Sequence, residues 1–376
     1  MFQSCFSFNL NWTIPLIKIS ALGTAVPDFE HTQDQILPFM QNIYAADSNE
    51  ARKIRFLYHQ SGIQKRYSVL KDYSSPKEEW TFYSQNLDNA FPSLEKRMRC
   101  YKNEALKLAV KAIENLGLTK AREATHVISV SCTGMSAPGL DLEIIAALQL
   151  SNDTERSSIN FMGCYAAIHG MKQATAICKA NPNAKVLVVC VELCTLHFQK
   201  EATGDNIMSS MLFADGAAAI LIENNDSNEG LTIESFYASI LPKGEKDMAW
   251  ELSSTGFQMT LTGYIPDLLA ADFKPLIERA LHKANKSIEE VDYWCIHPGG
   301  KKIVDVIKEN LGIESSKIEN SYGVLNDYGN MSSPTVLFVL KRIWENHLKA
   351  AHKPATIVGA AFGPGLTMET FTLSYA

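Results

Sequence analysis

Three side chains of the 376-residue sequence stand where their types could do chemistry: Cys164, His297 and Asn330. Cys164 follows the short apolar strand Ser158-Ile159-Asn160-Phe161-Met162 through Gly163 and opens the alanine-rich run Ala166-Ala167-Ile168, which reads as a helix. A thiol at a helix entrance meets unpaired N–H groups and the positive end of the helix dipole, which favour the reactive thiolate. The competing reading is a small buried hydrophobe. His297 ends the run Tyr293-Trp294-Cys295-Ile296 ahead of Pro298-Gly299-Gly300, so its ring is presented at a strand terminus. Asn330 lies in Asp327-Tyr328-Gly329-Asn330-Met331-Ser332-Ser333-Pro334, where Pro334 starts the next helix and the amide projects from its entrance. Singly, the histidine reads as a satisfied core residue and the asparagine as a cap. Together the three supply a nucleophile, a base or cation to hold its thiolate, and a donor that does not titrate.

The elements that must position them repeat. Cys132 ends a strand over 126–131 and stands 32 residues before Cys164, while His297 ends a strand over 292–297 and stands 33 before Asn330. The two pairs are offset by 165 and 166 residues, which implies a duplicated αβ unit whose strand ends face one shared site. The first half opens with a strand over 14–22 that Gly23-Thr24-Ala25-Val26-Pro27 breaks into a loop. A helical pattern over 32–61 carries the basic cluster Arg52, Lys53 and Arg55, followed by Lys65 and Arg66, a solvated face or an anion site. Residues 72–92 read as surface loops and short helix. Leu106, Ala109, Ala112 and Ile113 place an amphipathic helix over 104–116, and the apolar run 184–192 is a strand covered on both faces. The polar stretch 223–230 divides the chain into halves 1–226 and 227–376. The second half then reads as helix 273–285, strand 292–297, helix 302–311, a loop to Asn330, helix 335–348 and strand 356–361.

Bulk properties bound the function. With 46% hydrophobic and 20% charged residues the chain can bury a large α/β core, and a net charge of −6 argues against a nucleic-acid surface. Eight cysteines without CxxC pairs support neither zinc nor a disulfide framework and fit reduced thiols in a cytoplasm. No apolar run is long enough to span a membrane, and residues 1–12 lack the pattern of a signal peptide.

From Gly23-Thr24-Ala25-Val26-Pro27 to Phe362-Gly363-Pro364-Gly365-Leu366-Thr367-Met368-Glu369-Thr370 the sequence resembles the type III polyketide synthases, the chalcone and stilbene synthase-like branch of the thiolase superfamily. The most specific pieces are Tyr328-Gly329-Asn330-Met331-Ser332-Ser333, His297-Pro298-Gly299-Gly300 and Phe213-Ala214-Asp215-Gly216-Ala217-Ala218-Ala219. The resemblance implies a thiolase-like αβαβα layered fold of two pseudo-repeated halves and a homodimer. It also implies no cofactor or metal, with malonyl-CoA and an acyl-CoA starter as substrates. Cys164 would carry the acyl chain; His297 and Asn330 would bind the malonyl thioester carbonyl and promote decarboxylation, with imidazolium also holding the thiolate. The N–H groups of Gly163 and Cys164 could steady the tetrahedral oxyanion. Phe213 matches one of two gating phenylalanines, and the second aligns with Met259. Threonines that line the cavity in plant members become Cys132, Cys194 and His197, beside Thr133 and the loop Gly363, Pro364 and Gly365. Ala137 replaces a methionine and opens space near the dimer contact, whereas Trp250 stands near a plant glycine and fills space. The pattern looks like that of bacterial members and points to an alkylpyrone or alkylresorcinol from a long-chain starter. Alternatives are a malonyl-primed naphthalene- or phloroglucinol-type synthase, a ketoacyl synthase III-like enzyme fed by acyl carrier protein, or a silent scaffold. The CoA-contacting basic residues are placed only by region.

Overall fold

The computed structural model describes residues 16–376 apart from 87, 88, 90, 228 and 352; the signal-peptide reading of residues 1–12 lies outside them. The first half runs β1 (Ile17–Ala25), β2 (Phe29–Thr32), α1 (Gln33–Tyr44), α2 (Ser48–Gln60), β3 (Lys65–Ser68), α3 (Leu94–Leu116), α4 (Leu118–Ala121), β4 (His126–Ser131), α5 (Leu140–Leu148), β5 (Glu155–Asn160), α6 (Ala166–Ala180), β6 (Lys185–Leu193), α7 (Gly204–Leu212) and β7 (Asp215–Asn224). The second runs β8 (Leu231–Ile240), β9 (Met248–Ser253), β10 (Gly256–Leu261), α8 (Ile265–Lys283), β11 (Tyr293–Ile296), α9 (Lys301–Leu311), α10 (Ser315–Tyr328), α11 (Thr335–Ile343), β12 (Ala355–Gly363) and β13 (Thr367–Tyr375).

The duplication is visible in strand pairing. In the first half β4 is parallel to β6, β6 antiparallel to β7, and β7 antiparallel to β1. In the second half β11 is parallel to β12, β12 antiparallel to β13, and β13 antiparallel to β8. The halves meet where β1 and β8 pair through Lys18↔Thr232 and Ile19↔Leu231, giving one sheet in the order β11-β12-β13-β8-β1-β7-β6-β4-β5. Helices α6 and α11 form the middle layer: α6 packs on β4, β6 and β7 and reaches β13, while α11 packs on β11 and β12 and reaches β1 and β7. Each buries an apolar face, with Ala166, Ala167, Ile168 and Met171 on α6 and Val336, Leu337, Val339 and Leu340 on α11 fully buried, while α6 keeps His169, Lys172 and Gln173 on a half-buried side. Gly170 lets α6 lie close to the sheet, since a Cβ there would stand 2.7 Å from Val188. This is the thiolase-like layered fold.

Several elements differ from the reading of the sequence. Strand β1 continues through Gly23 to Ala25 because Gly23, Thr24 and Ala25 stay paired with β7. Helix α3 begins at Leu94, as Arg97, Tyr101, Ala105 and Leu108 extend the buried face at three- and four-residue spacing. Residues 72–92 are not a surface segment throughout: Trp80, Phe82 and Tyr83 are buried, and the buried Asp72 carboxylate accepts the N–H groups of Thr81, Phe82 and Tyr83. The stretch before Asn330 is helix α10, which buries Ile318, Ser321, Val324 and Leu325 where the first half has strand β5. Strand β5 itself ends at Asn160 and is a half-exposed edge strand rather than an apolar core strand.

Candidate active site

Cys164 sits in the single turn Gly163–Tyr165 that leads into α6. Gly163 has φ 77°, a left-handed conformation that a side chain strains, and a Cβ there would lie 2.3 Å from Pro364 Cδ. The Gly363-Pro364-Gly365 loop after β12 thus lies directly against the cysteine turn. His297 follows β11, its N–H donating to Ala360 O at 2.8 Å. Asn330 is pinned on both sides of its backbone, its N–H donating to Leu212 O and its carbonyl accepting the Ala214 N–H, each at 2.9 Å. Its Oδ1 accepts the Ser332 N–H at 2.8 Å, so the amide is oriented with Nδ2 as the donor end, which donates to Gly299 O at 3.4 Å.

Cys164, His297 and Asn330 line one chamber with Phe213 and Met259. An adjoining chamber, also on Cys164, is lined by Cys132, Thr133, Cys194, Trp250 and Pro364. A third void, about 570 Å³ of unfilled space including its open mouth, extends past Cys194 and His197 to Tyr73 and Ser209. Phe213 and Met259 border all three, which places them at the junction. Ala137 stands apart, exposed on the loop after Cys132 and lining none of these chambers. Gly363 and Gly365 line none of these chambers and flank Pro364, which does.

Burial dominates the electrostatics. It pushes the Cys164 thiol up to about 12, against hydrogen bonds from the Ser332 and Asn330 side chains, while the buried Glu192 charge pushes it the same way as burial. Burial likewise drives His297 down to about 3. The pair therefore rests as neutral thiol and neutral imidazole, where the helix entrance alone predicts a thiolate. Among the described residues neither ring nitrogen of His297 has a hydrogen-bond partner, so both are available to whatever enters. The Gly163 N–H is not available for an oxyanion, because it donates to Cys132 Sγ at 3.1 Å. His197 is fully committed: Nδ1 accepts the Phe257 N–H at 3.1 Å, Nε2 donates to Thr133 O at 2.8 Å, and the ring stacks on Phe257 at 4.2 Å. Burial holds it down to about 3, so it is a neutral wall residue. Trp250 is fixed beside it by a 2.7 Å bond from Nε1 to Cys132 O.

Arg66 is buried, donating to Gln33, Ser210 O and Phe213 O, and so braces the Phe213 backbone rather than meeting solvent. Arg52, Lys53 and Arg55 are exposed on α2. Reading residues alone passes over Glu192, Ser332 and Ser333. The signal for Glu192 is a carboxylate inside the apolar run Val-Leu-Val-Val-Cys-Val-Glu-Leu, which a doubly covered strand admits only with donors waiting for it.

The family models for chalcone and stilbene synthases match this chain twice, the N-terminal domain over residues 15–226 and the C-terminal domain over 232–375. The chain belongs to the chalcone and stilbene synthases. The type III polyketide synthase is 32% identical over 286 residues to "Alpha-pyrone synthesis polyketide synthase-like Pks18" of Mycobacterium tuberculosis, covering 74% of this chain and 72% of that one. It is 31% identical over 359 residues to "Probable polyketide synthase 1" of Dictyostelium discoideum, covering 93% of this chain but only 11% of that protein's length. The crystal structure of PKS-I from the brown alga Ectocarpus siliculosus superposes with a TM-score of 0.88 at 27% identity, covering 96% of this chain and 99% of that one.

Proposed function

We propose that the enzyme transfers an acyl group from a CoA thioester to Cys164 and extends it with malonyl-CoA. The reading rests on His297, a buried neutral ring whose unpartnered nitrogens share a chamber with Cys164 and Asn330. As the thiol attacks the acyl thioester its proton passes to His297, and the CoA thiolate leaves with a proton from the same ring. An imidazole N–H and the Asn330 amide then donate to the thioester oxygen of malonyl-CoA, where negative charge appears as carbon dioxide departs. The resulting enolate attacks the Cys164 thioester, forming the carbon–carbon bond and releasing the cysteine as thiolate. Each return of the lengthened chain to Cys164 permits a further cycle.

The Cys164 chamber is walled mainly by Met248, Met259, Trp250, Phe213 and Pro364, which suits a fatty acyl starter and an alkylpyrone or alkylresorcinol product. A mycobacterial relative named for α-pyrone synthesis is compatible with this. One observation favours malonyl priming to a naphthalene- or phloroglucinol-type product instead: the third void, lined in part by Ser68, Tyr73, Thr195 and Ser209, is more polar than the Cys164 chamber. Mass spectrometry of products from fatty acyl-CoA starters with malonyl-CoA, and from malonyl-CoA alone, without carrier protein, decides between them. Fatty acyl products dominating supports the first reading; equal turnover of malonyl-CoA alone supports the second; no product from either overturns both.

The same proposal takes residues 1–226 and 227–376 as the two halves of a cytoplasmic homodimer's protomer. The exposed loop of Met135 and Ala137 and the edge strand β5 are the faces for the second copy.

A further inference from the structure

Glu192, at the end of β6, is completely buried. Its Oε2 accepts the Cys132 N–H and the Thr133 hydroxyl, both at 2.9 Å, and its Oε1 accepts the Ser333 hydroxyl at 2.6 Å. Thr133 Oγ1 accepts the Leu193 N–H in turn, at 2.9 Å, closing a ring around the carboxylate. Cys132 and Thr133 belong to the loop after β4 in the first half; Ser333 belongs to the turn after Asn330 in the second. Because Cys132 Sγ also accepts the Gly163 N–H, a chain of bonds runs from the residue before the nucleophile, through Cys132 and Glu192, to the turn that orients Asn330. That turn is demanding: Ser332 has φ 58° while its N–H fixes the Asn330 amide.

Resting on the decarboxylation role given above to Asn330, we propose that Glu192 is a positioning residue for that step, tying the Asn330 turn to the cysteine loop so that the Asn330 amide and His297 meet one substrate oxygen. A carboxylate suits the task because two acceptor oxygens can receive three donors from two halves, and charge-assisted bonds of this kind are short and directional. A side chain kept for stability alone would be served at lower desolvation cost by an apolar residue. The charge faces the thiols of Cys132, Cys164 and Cys194, Cys190 on its own strand and Tyr101 of α3, which burial first, and the Glu192 charge as a lesser cause, hold in their protonated forms. Burial lifts Glu192 itself to about 7. When it takes a proton, Oε1 donates to Ser333 once that hydroxyl turns while Oε2 still accepts from Cys132 and Thr133, so the tie is kept in either protonation state.

The test measures malonyl-CoA decarboxylation and iodoacetamide alkylation of Cys164 in the full chain. Glu192→Ala should lower the decarboxylation kcat by about tenfold to a hundredfold, as a small misplacement of a reacting group does, with KM for malonyl-CoA and the alkylation rate retained. Glu192→Gln, which accepts from Cys132 and Thr133 and donates to Ser333, should restore most of kcat. A folded Glu192→Ala enzyme with wild-type kcat overturns the proposal, as does one that loses kcat, KM and alkylation together. Should that variant not fold, Ser333→Ala removes a single donor and carries the same expectation and the same refutation. The parent reading is tested separately: an active Asn330→Ala enzyme overturns that reading, whereas an inactive Asn330→Ala beside an unaffected Glu192→Ala overturns only the positioning role.

Discussion

At the scale of single residues, the site works by what burial does to charge. A thiol held near 12 and an imidazole held near 3 are each poor alone, yet a proton passed between them makes two opposite charges that stabilise one another in a dry chamber. Asn330 does not titrate; its bond to the Cys164 thiol is a lesser influence there, and in the proposed mechanism its part is that of a donor to the malonyl oxygen. Removing one such donor typically costs on the order of 10²–10³ in rate. Asn330→Ala is therefore expected to keep thiol alkylation while losing malonyl decarboxylation, and His297→Ala to lose both; equal loss of alkylation in the two variants contradicts this division. The types of Cys164, His297 and Asn330 and their repeat spacing are legible in the sequence. The neutrality of the pair is not, because it depends on how completely other strands close over it. Glu192 escapes for the same reason: its donors are Cys132, Thr133 and Ser333, the last of them 141 positions away along the chain.

Among the elements, those with strong apolar periodicity announce themselves. Strand β4 falls on residues 126–131 as its pattern predicts, and β6 within one residue at each end. Helix α10 hides because Gly323 and its polar neighbours read as a loop, and only packing on β11 shows that its apolar residues share a face. The hairpin β9–β10 carries Trp250 and Met259 opposite each other in register, both on the wall of the Cys164 chamber. Trp250→Ala should join the Cys164 chamber to the third void and shift product masses upward from the same starter; unchanged products would show that the tryptophan sets no length. Gly163→Ala combines a left-handed backbone with a collision at Pro364, so it should destabilise the site by about 1–3 kcal/mol and cut acyl transfer. Melting temperature and turnover at wild-type values would contradict the close apposition of the two loops.

For the whole molecule, the repeat predicts two halves and the strand pairing duplicates accordingly, but where Ala137 points could not be read from its type. It lies on an exposed loop, so any effect on chain length must come through a second copy. Light scattering at micromolar concentration should give twice the 41.7 kDa of one chain. A monomer carrying full activity would refute the dimer. Buried histidines also set the response of the whole fold to acid. His31, held by Ser74 and Leu70 O, is driven down to about 4 by burial, so the unfolded chain binds its proton first as pH falls below 6.5. Its contribution to stability is thus present above that pH and lost on the way to about 4, amounting to roughly 2 kcal/mol lost by pH 5. His31→Gln, which takes no proton in either state, should be most destabilised relative to wild type above pH 7, with the gap narrowing toward pH 5 in chemical denaturation. A gap independent of pH would show that His31 is not the group responsible.

The central claim is that the growing chain is carried as a thioester on Cys164, and peptide mapping by mass spectrometry after brief mixing with a fatty acyl-CoA tests it most directly. The account predicts an acyl mass on the peptide containing Cys164, discharged by malonyl-CoA and absent, together with all condensation, in Cys164→Ala. An acyl group found on Cys132 or Cys194 instead, or elongation that persists in Cys164→Ala without any adduct, would contradict it.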